Sequence, residues 1–162
     1  MNSQMLGDHK ILHLSTKAMR DLYQGNYASD VINMQDWQDC IFIVNQTSGV
    51  GQAELSIKRA DDVTPTTTAG APTWRWRKST ASGDVWNAWT TVSSSSGFLT
   101  GITPDKVFEL HIRGDEVGGS SDYKYIFLNA DQVTDSEVDV DIIAILFNGR
   151  YMTDDTNRTA LV

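Results

Sequence analysis

The feature of this sequence most suggestive of a binding surface is a cluster of aromatic residues. Four of the five tryptophans fall within sixteen residues: Trp74, Trp76, Trp86 and Trp89. If the two pairs meet across a hairpin, they form an aromatic ladder. A ladder that faces water could stack on sugar rings, and one that faces inward is core. At a subunit contact it would be a hot spot, where Trp and Arg are enriched. The interleaved Arg75 and Arg77 suit a contact rim, and core or interface is the more common fate of such clusters.

Metal ligation has weak support from residue spacing. His9 and His13 are spaced for one face of a helix, but neither an H-E-x-x-H pattern nor a cysteine cluster accompanies them or His111. Surface histidines are therefore the better interpretation, and the sequence predicts no metal site.

One carboxylate series alternates along a strand-like segment: Glu137, Asp139 and Asp141. Oxygen ligands on one strand face could hold calcium. The simpler interpretation is the solvated face of an edge strand, where like charges oppose aggregation. We favour the simpler interpretation.

Patterns for covalent or cofactor chemistry are missing from the sequence. Cys40 is the only cysteine and has strongly apolar neighbours, which favours a buried, inert thiol. There is no G-x-S-x-G elbow and no phosphate-binding glycine loop. The sequence therefore predicts a protein that is not an enzyme and uses no cofactor. A small hydrolase would need converging carboxylates, and their distances depend on the fold.

Composition limits the class of partner. The chain has 162 residues, enough for one domain, and its net charge is −8. An acidic surface is repelled by a phosphate backbone and by anionic membranes, so nucleic acid and membrane are disfavoured as partners. The first ten residues show no signal-peptide pattern, and no apolar run has membrane-spanning length. We expect synthesis in a cytoplasm.

The elements that must position these residues are strands. Residues 39–45 predict a buried strand, and residues 53–58 and 106–113 alternate between apolar and polar types. Residues 73–92 predict a β-hairpin, and residues 137–147 predict a strand that passes from an edge into the core. Seven to nine strands are expected, so the predicted fold is an all-β, single-domain β-sandwich of jelly-roll-like form.

The two ends of the chain lack this pattern. Residues 1–36 predict an N-terminal arm with at most one short helix over residues 15–24, and residues 152–162 predict a polar tail that follows a sandwich over residues 37–151. The arm has too little periodicity to form a core but enough large side chains to dock on a neighbouring subunit. An ordinary N-terminal strand and loop would have the same sequence features, and the sequence favours neither. The candidate contact residues of the arm are Met5, Leu6, Ile11, Leu12 and Leu14.

The order of these segments resembles that of small phage virion proteins. An apolar strand ends in Gly149-Arg150-Tyr151, an A-x-L-x-I strand begins at Ala53, and an aromatic, Ser/Thr-rich centre separates the two. Over residues 30–151 the chain is similar to phage capsid decoration (cement) proteins. The resemblance implies a jelly-roll-like protein on the outside of the capsid, made in the host cytoplasm. It also implies a homotrimer or a dimer whose partner is the major capsid protein.

The same resemblance gives the terminal motif structural roles: a turn at Gly149, an ion pair for Arg150 and packing for Tyr151. It carries no catalytic residue. The competing hypothesis is a carbohydrate-binding β-sandwich module that uses the tryptophan-rich hairpin.

Overall fold

Two antiparallel β-sheets share one hydrophobic core in the computed structural model, which describes residues 9–14, 22–79, 85–93, 96–103, 105–118 and 123–149. The all-β sandwich predicted from the sequence is confirmed. The strands are β1 (His9–His13), β2 (Tyr27–Ala28), β3 (Ile32–Asn33), β4 (Trp37–Gly49), β5 (Gln52–Ala60), β6 (Thr68–Gly70), β7 (Trp74–Lys78), β8 (Thr90–Val92), β9 (Phe98–Leu99), β10 (Lys106–Arg113), β11 (Tyr125–Thr134) and β12 (Val138–Gly149), with the short helix α1 (Gly114–Gly118).

The chain passes back and forth between the two sheets. The first sheet has the order β1-β12-β4-β10-β7-β8, and the second has β2-β11-β5-β6, with β3 beside β11 and β9 beside β5. The first strand thus lies against the last, and successive long strands belong to opposite sheets. This is a jelly-roll-like connectivity. The β7–β8 hairpin extends the first sheet beyond β10.

β4 and β12 are neighbouring interior strands of the first sheet, and their alternating residues fill the core. Phe42 is opposite Ala144 and Val44 is opposite Ile142, and all four side chains are fully buried. Residues 138–141 pair with β4 alone among the described residues, whereas residues 143–147 lie between β1 and β4. The strand therefore runs from an edge into the middle of a sheet, as its sequence predicts.

The described part of the N-terminal segment belongs to the sandwich, which agrees with an ordinary strand and loop there and not with a separate docking arm. β1 pairs with β12, while β2 and β3 pair with β11. Leu12, Leu14, Leu22 and Tyr23 are buried in the core. The hydroxyl of Tyr27 donates a hydrogen bond to the carbonyl oxygen of Leu14 at 2.8 Å. β2 and β3 are only two residues long and cannot show an alternating pattern. Their place in the sheet therefore depends on pairing with β11, which is distant in the sequence.

The one helix among the described residues follows β10 directly. α1 carries Asp115 and Glu116 in its first turn and is anchored by the buried Val117. In the predicted 15–24 helix, residues 22–24 lie in a turn and a bend, and the remainder is outside the described residues. Met5, Leu6, Arg150, Tyr151 and the 152–162 tail also lie outside them.

The predicted tryptophan hairpin is present. Trp74 is opposite Val92 and Trp76 is opposite Thr90, and a single β-bridge joins Ser79 to Trp86. The hairpin therefore places two tryptophans on β7 and brings the other two back beside that strand.

Candidate functional site

The outer face of the first sheet carries an apolar patch on three adjacent strands. We call these residues the isoleucine face: Ile11, Ile41, Ile43, Ile143, Ile145 and Phe147. Ile145 lies between Ile11 on β1 and Ile41 on β4, and Ile143 is opposite Ile43. Ile11 is 62% exposed, and the other five are half-buried. A solvated sheet face normally carries polar residues at these positions, so this patch is suited to contact with another surface.

The sequence contained a signal for this face. In residues 41–44 and 143–146, both alternating sets of positions are apolar, which is typical of a strand covered on both sides. The inward set fills the sandwich core. The outward set is the isoleucine face, which has no second layer among the described residues.

The other half of this sheet face is polar and aromatic. Arg75 and Arg77 point outward from β7, while Trp74 and Trp76 point into the core, where Trp76 stacks on Phe98 with ring centroids 3.8 Å apart. The four tryptophans therefore do not form one ladder.

Trp86 and Trp89 instead contact the outward arginines. The guanidinium carbon of Arg77 lies 4.6 Å from the ring centroid of each indole, and that of Arg75 lies 4.6 Å from Trp89. These are cation–π contacts. We call the four residues the Arg–Trp stack. Both indoles are half-buried, so the stack keeps part of its aromatic surface in contact with solvent.

A partly buried hydrogen-bonded chain connects the polar half to the isoleucine face. Nε of Arg75 donates to Nδ1 of His111 at 2.9 Å, and Nε2 of His111 lies 2.9 Å from Oδ1 of Asp39. Nδ2 of Asn148 donates to Oδ2 of Asp39 at 2.8 Å. The imidazole is flanked by the rings of Trp89 and Phe147, at 6.2 and 6.1 Å between centroids. His111 and Asp39 are both buried.

A pocket of about 400 Å³ lies at one end of this chain. We call it the polar pocket, and it is lined by Asp39, Thr73, Trp74, Arg75, Thr91, His111, Arg113 and Glu116. Most of these side chains offer hydrogen-bond donors or acceptors. The sequence predicts a surface position for His111 and does not indicate Asp39 as its partner, because the two are brought together only by the pairing of β10 with β4.

Strand alternation turns the candidate contact residues of the N-terminal segment to opposite sides of the first sheet. Leu12 and Leu14 turn into the core and are buried, so they are not available to a neighbour, and their assignment as contact residues is wrong. Ile11 points outward into the isoleucine face. Gly149 ends β12 opposite Trp37.

The other titratable candidates also have defined places. Asp139 and Asp141 lie on the outer side of β12, where Asp139 hydrogen-bonds Ser48 and Oδ1 of Asp141 lies 3.0 Å from Nε2 of His13. Glu137 precedes the strand and is exposed, as is His9 on β1. In the part of the chain that the structure describes, no group of three or more His, Cys, Asp or Glu residues could hold a metal ion.

Cys40 has the environment of an inert thiol. It is fully buried on the core side of β4, and burial together with the neighbouring Asp39 carboxylate raises the pKa of the thiol. A raised pKa keeps the sulfur protonated and weakly nucleophilic.

Within the described ranges, no helix is long and apolar enough to cross a membrane. Comparison with protein-family models, with curated proteins and with solved structures gives no match for this chain.

Proposed function

We propose that this chain is a structural, non-enzymatic phage virion protein that binds the outer surface of the capsid and bridges capsid subunits. The observation that carries the proposal is the isoleucine face. Contiguous apolar surface on the outside of a sandwich is characteristic of protein–protein contacts. The sequence resemblance to capsid decoration proteins over residues 30–151 supplies the kind of surface that would cover it.

The energetics of this contact suit a repeated lattice. Burying a fully exposed isoleucine side chain contributes roughly 1.5–3 kcal/mol, and a half-buried one contributes less. A single copy would therefore bind modestly after the entropy cost of association. A protomer that contacts two subunits, or that self-associates as a trimer or dimer, gains avidity from simultaneous contacts. The net charge of −8 favours solubility at high concentration before assembly.

Fewer residues of the N-terminal segment are available for contact with the capsid than its sequence suggests. Deleting residues 1–14 would remove β1 together with the core residues Leu12 and Leu14. Loss of capsid binding after such a deletion could then result from unfolding. Substitutions on the outer side of β1 and β12 isolate the contact itself.

The deciding variant is Ile11→Thr combined with Ile145→Thr. These two residues are direct cross-strand neighbours, and threonine keeps the β-branched shape that strands favour while removing apolar surface. The matched control is Val133→Thr, an exposed valine on β11 of the other sheet. Binding is measured by co-sedimentation with shells assembled from the major capsid protein of the genome that encodes this chain. Solution mass gives the oligomeric state, and thermal unfolding reports folding.

We expect the unmodified protein and the Val133 variant to co-sediment equally, and the double isoleucine variant to bind about tenfold more weakly while remaining folded. An unmodified protein that does not co-sediment overturns the capsid function. A folded double variant with full occupancy overturns the role of the isoleucine face.

A further inference from the structure

Arg75 differs from the other outward-facing arginines of the first sheet in its partner. Arg77 pairs with the carboxylate of Glu109, and Nη2 of Arg113 lies 2.9 Å from Oδ2 of Asp115. Arg75 contacts the imidazole of His111 instead, and it has no carboxylate partner among the described residues. Its positive charge is therefore not neutralised by a direct ion pair.

The guanidinium of Arg75 is also held in one orientation. Its Nε is used by the hydrogen bond to His111, and its guanidinium carbon lies over the Trp89 ring, 4.6 Å from the ring centroid. His111 is itself fixed by its contact with the buried Asp39. An arginine side chain that is already fixed before a ligand binds loses less conformational entropy on binding.

The part of Arg75 left for a ligand is its terminal fork. Neither Nη atom makes a hydrogen bond to the described residues, and the side chain is exposed at the wall of the polar pocket. Two parallel N–H groups match the two oxygens of a carboxylate. A planar oxyanion is therefore the chemistry that this orientation favours.

The remaining wall favours hydroxyl groups. Thr73 and Thr91 can donate and accept hydrogen bonds, and Glu116 can accept them. A pocket of about 400 Å³ is in the size range of small-molecule sites. A ligand with one carboxylate and several hydroxyls would match both the Arg75 guanidinium and the hydroxyl-binding side chains of the pocket.

We propose that the polar pocket binds a carboxylate-bearing sugar unit, such as a uronic or sialic acid of a surface polysaccharide. The terminal nitrogens of Arg75 donate hydrogen bonds to its carboxylate. Thr91 and Glu116 bind ring hydroxyls. This proposal does not depend on capsid binding. The pocket adjoins the isoleucine face, since Asp39 is opposite Phe147 and His111 is opposite Ile41, so the test uses the free protein in the absence of capsids.

The test uses the purified chain and four probes: the methyl glycosides of galacturonic, glucuronic and sialic acid, and methyl galactoside. Methyl galactoside differs from the galacturonide only in carrying a hydroxymethyl group in place of the carboxylate. Binding is measured by calorimetric titration and by NMR shifts of the indole N–H groups. We expect at least one acidic sugar to bind saturably at millimolar or lower concentration, and the neutral sugar to bind about tenfold more weakly.

Arg75→Lys keeps the charge but removes the fork, and it should weaken acidic-sugar binding about tenfold. Arg77→Lys is the matched control, because Arg77 is on the same face of the same strand and contacts the same indole but does not line the pocket. It should leave affinity unchanged within about twofold. Thr91→Val provides a second variant if Arg75→Lys unfolds, and it should also weaken binding.

The proposal is overturned if none of the acidic sugars binds, if methyl galactoside binds as tightly as the galacturonide, or if Arg77→Lys weakens binding as much as Arg75→Lys does. Unchanged binding by folded Arg75→Lys and Thr91→Val variants also overturns it. None of these measurements involves capsids, so failure of the capsid function is a separate result.

Discussion

Nε of Arg75 lies 2.9 Å from Nδ1 of His111, and this contact fixes the tautomer of a buried imidazole. An arginine N–H can only donate, so Nδ1 accepts and the ring proton is on Nε2. Nε2 then donates to Oδ1 of Asp39. Because both ring nitrogens are occupied, His111 orients Arg75 and is poorly placed to transfer protons to a substrate.

Replacing His111 by phenylalanine tests how much the hydrogen bonds of His111 to Arg75 and Asp39 contribute to the stability of the protein. The new ring keeps the stacking position beside Trp89 and Phe147, but the buried Asp39 loses its donor. We expect the free energy of unfolding, measured by urea denaturation, to fall by about 1–3 kcal/mol. His9→Phe is the control, since His9 is exposed, and it should change the free energy by less than about 0.5 kcal/mol. Equal effects of the two substitutions would contradict the prediction.

The two halves of the tryptophan cluster should differ in their contribution to stability. Trp74 is 2% exposed and packs in the core, so Trp74→Ala should lower the free energy of unfolding by about 3–5 kcal/mol. Trp86 makes a surface contact with Arg77, so Trp86→Ala should cost about 0.5–1 kcal/mol. Denaturant titration with near-ultraviolet circular dichroism measures both. A Trp86 variant as unstable as the Trp74 variant would show that the stack supports the fold.

Local periodicity was enough to predict the strands whose alternation is complete. Residues 53–58 and 106–113 have one apolar and one polar set, and both form strands with the apolar set buried. The hairpin was also predictable, because its turn residues and its two strands lie close together in the sequence.

Features that depend on distant pairing could not be predicted. Leu14 donates its backbone N–H to the carbonyl of Ile142 at 2.9 Å, a partner 128 residues away, so nothing near Leu14 in the sequence indicates its burial. Asp39 and His111 are separated by 72 residues. An apolar run such as residues 143–147 predicts a covered strand, but it does not tell whether the second covering layer is part of the same chain.

A buried amide on β4 gives an opportunity to stabilise the protein. Gln46 is fully buried, and neither its Oε1 nor its Nε2 has a hydrogen-bond partner among the described residues. An unsatisfied buried polar group costs about 1–3 kcal/mol. Gln46→Met, which has a similar volume, should therefore raise the free energy of unfolding by about 1 kcal/mol. Gln38→Met at an exposed position of the same strand is the control. A less stable Gln46 variant would instead indicate that an internal water satisfies the amide.

The loop after β5 should respond to acid through one carboxylate. The Thr66 hydroxyl, which donates to Oδ2 of Asp61 at 2.7 Å, and the backbone amide of Thr67 hold the pKa of Asp61 below its ordinary value. A carboxyl group whose pKa is lowered in the folded state stabilises this loop at neutral pH, and the contribution is lost as the pH falls through the lowered pKa. The amide signals of Thr66 and Thr67 should therefore shift in an NMR titration from neutral to acidic pH.

Asp61→Asn should abolish that shift, because the amide oxygen does not titrate in this range. Asp62→Asn, which alters the neighbouring exposed carboxylate, should leave it intact. If the two threonine amides respond to pH in the Asp61 variant as they do in the unmodified protein, another group controls the loop. Loss of the response in the Asp61 variant alone would establish that the Asp61 carboxylate orders the segment that leads into β6.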